Sequence, residues 1–236
     1  MGEDTLGCEG LCNPEDASSG FLFWPDAGQV RRLQDIMNRN KGALTVHTLV
    51  KIAVLGVVSF VLMFFKMPLW FAPPFMKFDI SDLPSLLGAF AMGPATGIWV
   101  QLVKNLLNVL VEGSVTNGVG EFTNFLVGSV LAFVAGWVYK RNRTFKGALS
   151  GLALGVIAMT TFATLNNYFV MFPLYAKVLG LELDTLVKMG SAVNKYVVDY
   201  KTLMLFAVVP FNLFKGIAAA LATLLVYKRL SPILQR

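Results

Sequence analysis

The chain has 236 residues, of which 56% are hydrophobic and 14% charged, with 20 Lys and Arg against 14 Asp and Glu for a formal net charge of +6. A soluble domain carries about 25% charged residues, so this composition argues against a soluble enzyme, a disordered chain and a disulfide scaffold, and for an all-α polytopic membrane protein. The apolar residues run in long blocks, unlike the alternation of a transmembrane β-barrel, and the basic residues border those blocks, which reads as membrane orientation and not as nucleic-acid binding.

Residues 1–42 are polar, acidic early (Glu3, Asp4, Glu9, Glu15, Asp16) and basic late (Arg31, Arg32, Arg39, Lys41). They read as a cytoplasmic N-terminal extension. The first apolar block comes too late and is too long for a cleavable signal peptide, so it is expected to be a retained span. Cys8 and Cys12 lack the second cysteine pair that a zinc site needs, and His47 is the lone histidine. They read as free thiols, and no metal site is expected. Phe21-Leu-Phe-Trp24 reads as an interfacial aromatic run.

The apolar blocks are 43–65, 83–111, 122–139, 147–174 and 203–227. A crossing takes about 20 residues. Met92-Gly93-Pro94 interrupts the second block, because proline disfavours helix in the residue before it and removes a donor. Charge then fixes the parity. The basic residues before the first block, the cluster Lys140, Arg141, Arg143 and Lys146, and Lys228, Arg229 and Arg236 should all be cytoplasmic. The chain between Lys66 and Gly120 therefore starts and ends outside, and must cross an even number of times. That predicts helices 83–92 and 94–111, six transmembrane helices in all, and both termini cytoplasmic. The membrane domain is 43–228, followed by a short cytoplasmic tail, 229–236. The outer loops are 67–82 and 173–202. In the first, Asp82 reads as a helix N-cap with Pro84 in the first turn.

Polar side chains at membrane depth face a bundle interior or a water-filled cavity. Gln101, Lys104, Asn105 and Asn108 share one helical face, as a cavity wall or as glue between helices. Asn166 and Asn167 stand near the outer end of the fifth helix; Asn212 and Lys215 stand a turn apart in the sixth, after Pro210. An amide offers donors and an acceptor, and a lysine donates to a carbonyl, which suits a neutral ligand edge such as a pyrimidine-dione. Glu121 opens the fourth helix, where an anion favours the macrodipole. Gly147, Gly151 and Gly155 form a close-packing face. There is no G-x-x-x-x-G-K-[ST], no G-x-S-x-G and no H-E-x-x-H, so no catalytic residue is assigned.

Five motifs occur in series: Lys77-Phe-Asp-Ile-Ser-Asp-Leu-Pro84; Leu102-Val-Lys-Asn-Leu-Leu-Asn108 after Gly93-Pro94; Gly118-Val-Gly-Glu-Phe-Thr-Asn-Phe125; Asn167-Tyr-Phe-Val-Met-Phe-Pro-Leu-Tyr175; and Pro210-Phe-Asn-Leu-Phe-Lys-Gly216. In this order and spacing, about residues 43–228 resemble the riboflavin-specific S components of energy-coupling factor (ECF) transporters. The resemblance implies a riboflavin site near the outer face, closed by the first outer loop. Asn167, Asn212 and Lys215 would hydrogen-bond the polar edge of the isoalloxazine. Asp79, Asn108, Glu121 and Asn124 would line the site or order its loop. It implies a multi-pass cell-membrane protein with riboflavin as transported ligand, no cofactor, and no ATPase of its own. The partners would be a transmembrane coupling subunit and two cytoplasmic ATPase subunits. Where such proteins carry Ala-x-x-x-Ala for docking, this chain has Ala53-Val-Leu-Gly-Val57, with Gly56 read as the close-approach position.

The alternatives are an S component for FMN or another vitamin, a ligand-free assembly subunit, and a small membrane enzyme. In the last, Glu121, Asp79 and Lys104 would be the acid and base candidates.

Overall fold

The computed structural model describes residues 46–73, 76–114, 117–180 and 183–234. The expectations for residues 1–42, including Cys8, Cys12 and Phe21–Trp24, lie outside these residues.

The described chain is helical apart from one small hairpin. Helix α1 spans Val46–Met63; strands β1 (Met67–Pro68) and β2 (Lys77–Phe78) follow, then α2 (Leu83–Met92), α3 (Pro94–Glu112), α4 (Val119–Arg141) and α5 (Phe145–Asn166). A π-helical turn, Asn167–Met171, leads from α5 into α6 (Phe172–Leu179). After α7 (Leu183–Ser191) and α8 (Tyr200–Leu203), a second π-helical turn, Met204–Val208, leads into α9 (Val209–Leu234). The stretches Val46–Met63, Val119–Arg141, Phe145–Tyr175 and Tyr200–Tyr227 are each long and apolar enough to cross a membrane. α3 is of similar length, at 19 residues, but carries the polar face described below.

The break expected at Met92-Gly93-Pro94 is present. Gly93 has φ +113°, a conformation that glycine adopts without strain, and Pro94 opens α3. α2 and α3 thus join through a single residue and pack on each other. Leu86 and Phe90 of α2, Leu131 and Ala135 of α4, and Leu152 and Met159 of α5 share one core. Outward-facing side chains such as Val54, Leu110, Ile157, Leu221 and Leu225 are exposed and apolar, as a lipid-facing surface requires.

The glycine face on α5 packs as expected. A Cβ on Gly151 would lie 2.8 Å from the Ala135 carbonyl oxygen, and one on Gly155 would lie 3.1 Å from that of Leu131. Gly56 differs from its expected role. A Cβ there would meet the Val103 side chain at 2.5 Å, so Gly56 is turned inward onto α3 and not toward a docking partner.

Two further differences concern the segments expected on the outer side. Residues 173–202, read as a loop, contain α6, α7 and the start of α8. Phe172, Leu186, Val197, Leu203 and Met204 give this outer cap its own apolar core. The last helical run begins at Tyr200 because Asp199 and Thr202 form a reciprocal capping box. The first outer loop is tied down by the antiparallel pairing of Met67 with Phe78 and Pro68 with Lys77. Phe78 packs with Phe211 of α9, and its ring centroid lies 5.3 Å from that of Phe214.

Because Gly151 faces backbone, which cannot repack, Gly151→Val should cost about 1–3 kcal/mol. In detergent its thermal unfolding midpoint should fall well below that of Leu149→Val, a change on the exposed side of the same helix.

Candidate functional site

All four polar residues of the α3 face, Gln101, Lys104, Asn105 and Asn108, are buried. A buried ammonium group needs a partner charge. For Lys104 that partner is Asp82, whose Oδ1 lies 2.8 Å from Lys104 Nζ and also accepts from Gln101 Nε2 at 2.8 Å. Lys104 donates to Ser81 Oγ at 3.1 Å as well, and Gln101 Nε2 to Ser85 Oγ at 2.8 Å. Asp82 does occupy the N-cap position of α2, but its side chain caps nothing. The expected capping bond is absent because this carboxylate answers a full charge on the neighbouring helix.

Lys215 of α9 enters the same cluster. Its Nζ lies 3.3 Å from Asp79 Oδ2, 3.4 Å from Asp82 Oδ2 and 3.0 Å from Asn124 Oδ1. Asn124 Nδ2 donates to Asn105 Oδ1 at 3.1 Å, and Asn105 Nδ2 to the Gln101 carbonyl at 2.8 Å. Asp79 Oδ1 accepts from the Ser81 backbone N–H at 3.0 Å and from the Ser81 hydroxyl. The Ser59 hydroxyl of α1 donates to the Ser81 carbonyl. One network thus joins α1, the end of the first outer loop, α2, α3, α4 and α9. Its charges cancel: Lys104 and Lys215 against Asp79 and Asp82.

The other candidate residues divide into separate groups. Asn108 Oδ1 accepts from Lys66 Nζ at 3.2 Å, and Lys66 also pairs with Glu112, so this group ties the end of α1 to the end of α3. Glu121 Oε2 accepts from Ser114 Oγ at 2.8 Å, and that oxygen accepts from Gly118 N–H at 2.6 Å, which orders the turn into α4. Asn167 and Asn212 are buried, and each donates through Nδ2 to its own helix, to the Ala163 and Val208 carbonyls, both at 2.8 Å. Neither side-chain oxygen accepts a hydrogen bond from a described residue. Asn167 opens the first π-helical turn, and Asn212 follows the second by one helical turn.

The structure therefore joins Asp79, Asn124 and Lys215 directly, with Asn212 one turn from Lys215. It does not link Asn108, Glu121 or Asn167 to them by hydrogen bonds. Sequence reasoning placed Lys104 on a polar face, as a cavity wall or helix glue, and gave it an acid–base role only in the enzyme reading. It did not count Asp82 among the site residues. The signal was available: lysines at membrane depth require anions, and Asp79 and Asp82 are the acidic residues of the adjoining outer loop.

Each carboxylate of the central network is paired with a lysine. The two amide oxygens can accept from a ligand's N–H groups, and the Lys215 ammonium, whose three donors now face Asp79, Asp82 and Asn124, can donate to a ligand carbonyl by exchanging one of them.

A family model described as the ECF transporter substrate-specific component matches residues 47–227. The chain is similar to the riboflavin transporter RibU of Staphylococcus aureus, with 39% identity over 200 residues, covering 85% of this chain and 95% of the relative. It is 30% identical over 190 residues to the riboflavin transporter FmnP of Bacillus subtilis, covering 80% of this chain and 94% of the relative. A solved structure of the S component of a bacterial ECF transporter superposes with a TM-score of 0.62 at 37% identity, over 80% of this chain and 98% of that one.

Breaking the central ion pair from one side leaves an uncompensated buried charge, so Asp82→Asn should destabilise the protein by roughly 3–5 kcal/mol. Adding Lys104→Met should restore much of the loss in a detergent melting experiment. Additive losses would show that the two side chains act independently.

Proposed function

The chain belongs to the ECF transporter substrate-specific components, and we propose that within this family it is the riboflavin-binding subunit of a vitamin importer in the cell membrane. The observation that carries this reading is the pairing of Lys215, held by Asp79, Asp82 and Asn124, with Asn212 one turn away and its amide oxygen open. In the proposed complex Asn167, Asn212 and Lys215 contact the polar edge of the isoalloxazine. Asp79 and Asn124 hold Lys215, while Asn108 and Glu121 order the outer edge. The cancelling charges of the central network suit an uncharged cargo. The names of the similar proteins agree with this ligand.

The membrane topology proposed is six crossings with both termini cytoplasmic. α2 and α3 supply the pair of crossings that the charge distribution demands between Lys66 and Gly120. Residues 1–42 form a cytoplasmic extension, 43–228 the membrane domain and 229–236 a short tail. The subunit has no ATPase of its own. It works with a transmembrane coupling subunit and two cytoplasmic ATPases, and riboflavin is its cargo, with no cofactor.

Removing one partner of a buried hydrogen bond costs about 1–3 kcal/mol. Asn212→Ala and Lys215→Ala should each weaken riboflavin binding by that amount, read from quenching of flavin fluorescence on titration. FMN, which adds a charged phosphate, should compete less well than riboflavin. Unchanged affinity in both variants rejects the site; equal competition by FMN rejects the neutral-cargo reading.

A further inference from the structure

The two π-helical turns share a cause that is visible in the sequence. Asn167–Met171 is followed by Phe172-Pro173, and Met204–Val208 by Val209-Pro210. Proline has no N–H to donate. In the first turn the Phe172 N–H goes to the Asn167 carbonyl, five residues back. The Tyr168 carbonyl loses that donor, and the next position along, Pro173, has none to give. In the second turn the Val209 N–H goes to the Met204 carbonyl. The Leu205 carbonyl thereby loses its donor as the Tyr168 carbonyl does, and Pro210 removes the α-helical donor of the next carbonyl, that of Phe206.

In each turn a carbonyl that has lost its α-helical donor accepts from the outer cap. The Tyr200 hydroxyl donates to the Tyr168 carbonyl at 2.6 Å and lies 3.3 Å from the Asn167 carbonyl oxygen. Its ring stacks on that of Tyr168, with centroids 4.9 Å apart and planes 28° from parallel. Asn194 Nδ2 donates to the Phe206 carbonyl at 3.1 Å. The capping box of Asp199 and Thr202 fixes the helix start from which Tyr200 projects.

A π-helical turn inserts one residue and so rotates whatever follows it by about 100°, which sets the direction of Asn212, while Asn167, the first residue of its turn, is held through its own carbonyl, to which the Tyr200 hydroxyl donates. The persistence of the turn decides which side chains face the interior. We propose that Tyr200 and Asn194 are positioning residues for ligand binding: the outer cap holds the two π-helical turns in place and thereby aims Asn167 and Asn212. This rests on the assignment of those two asparagines to the riboflavin site. Neither Tyr200 nor Asn194 needs to touch the ligand.

The test is a double-mutant cycle on the full chain in detergent, read by riboflavin titration. Tyr200→Phe removes only the hydroxyl and should weaken binding about tenfold. In an Asn167→Ala background the same change should cost less than about twofold, because Tyr200 acts through Asn167. The visible absorption band of bound flavin should shift in Tyr200→Phe in the direction it shifts in Asn167→Ala. Equal losses in both backgrounds, or no loss from Tyr200→Phe while Asn167→Ala weakens binding, would overturn the positioning role alone. Unchanged affinity in Asn167→Ala would overturn the site assignment and this inference with it. If Tyr200→Phe fails to give a monodisperse protein, Asn194→Ala crossed with Asn212→Ala provides the parallel cycle. There a non-additive loss supports the inference and an additive one contradicts it.

Discussion

Two lysines buried in an apolar bundle constrain the whole outer half of this protein. Charges at membrane depth are tolerated only when paired, and pairing must come from whatever segment lies within reach. Here the anions are Asp79 and Asp82, at the end of the first outer loop, held by Lys104 of α3 and Lys215 of α9. The loop is therefore positioned by electrostatics as well as by its short strand pairing. Ser59 and Ser81 extend the arrangement to α1, and Asn124 and Asn105 extend it across α4. Loop position, helix packing and the orientation of Lys215 depend on one another, so a ligand that engages Lys215 also acts on the loop.

The sequence was most legible where elementary constraints act along one segment. Block length marks the long helices, and the glycine–proline step separates α2 from α3 at Gly93. The row at Gly151 and Gly155 packs against backbone, as its spacing predicts. The i, i+3, i+4, i+7 face of α3 is buried as a unit. Readings failed where the partner of a group is distant in the chain. Asp82 resembles a helix cap locally, and only the packing of α3 beside it makes it a counter-ion. Gly56 is shaped by Val103, on another helix. Residues 173–202 read as a loop because their short amphipathic helices bury few apolar residues each, against one another, the two π-helical turns and Met76 of the first outer loop. The π-helical turns follow from prolines at 173 and 210, but their side-chain partners, Tyr200 and Asn194, emerge only once the outer cap is folded.

The same features bear on transport. A subunit that captures a neutral vitamin needs specific contacts to it. This chain offers acceptors, a lysine held by two carboxylates and a cap tied to the helices beneath it. Its outward-facing surface is apolar, as a multi-pass membrane protein requires.

Riboflavin binding is tested at its root by the identity of the molecule that the protein retains. The full chain is purified alone in detergent without added flavin and denatured, and the supernatant is read by flavin absorbance and fluorescence and by mass spectrometry. Any empty fraction is titrated with riboflavin. Riboflavin is expected at close to one molecule per chain once the sites are filled. A purified, folded protein that releases no flavin and takes up none on titration would contradict it.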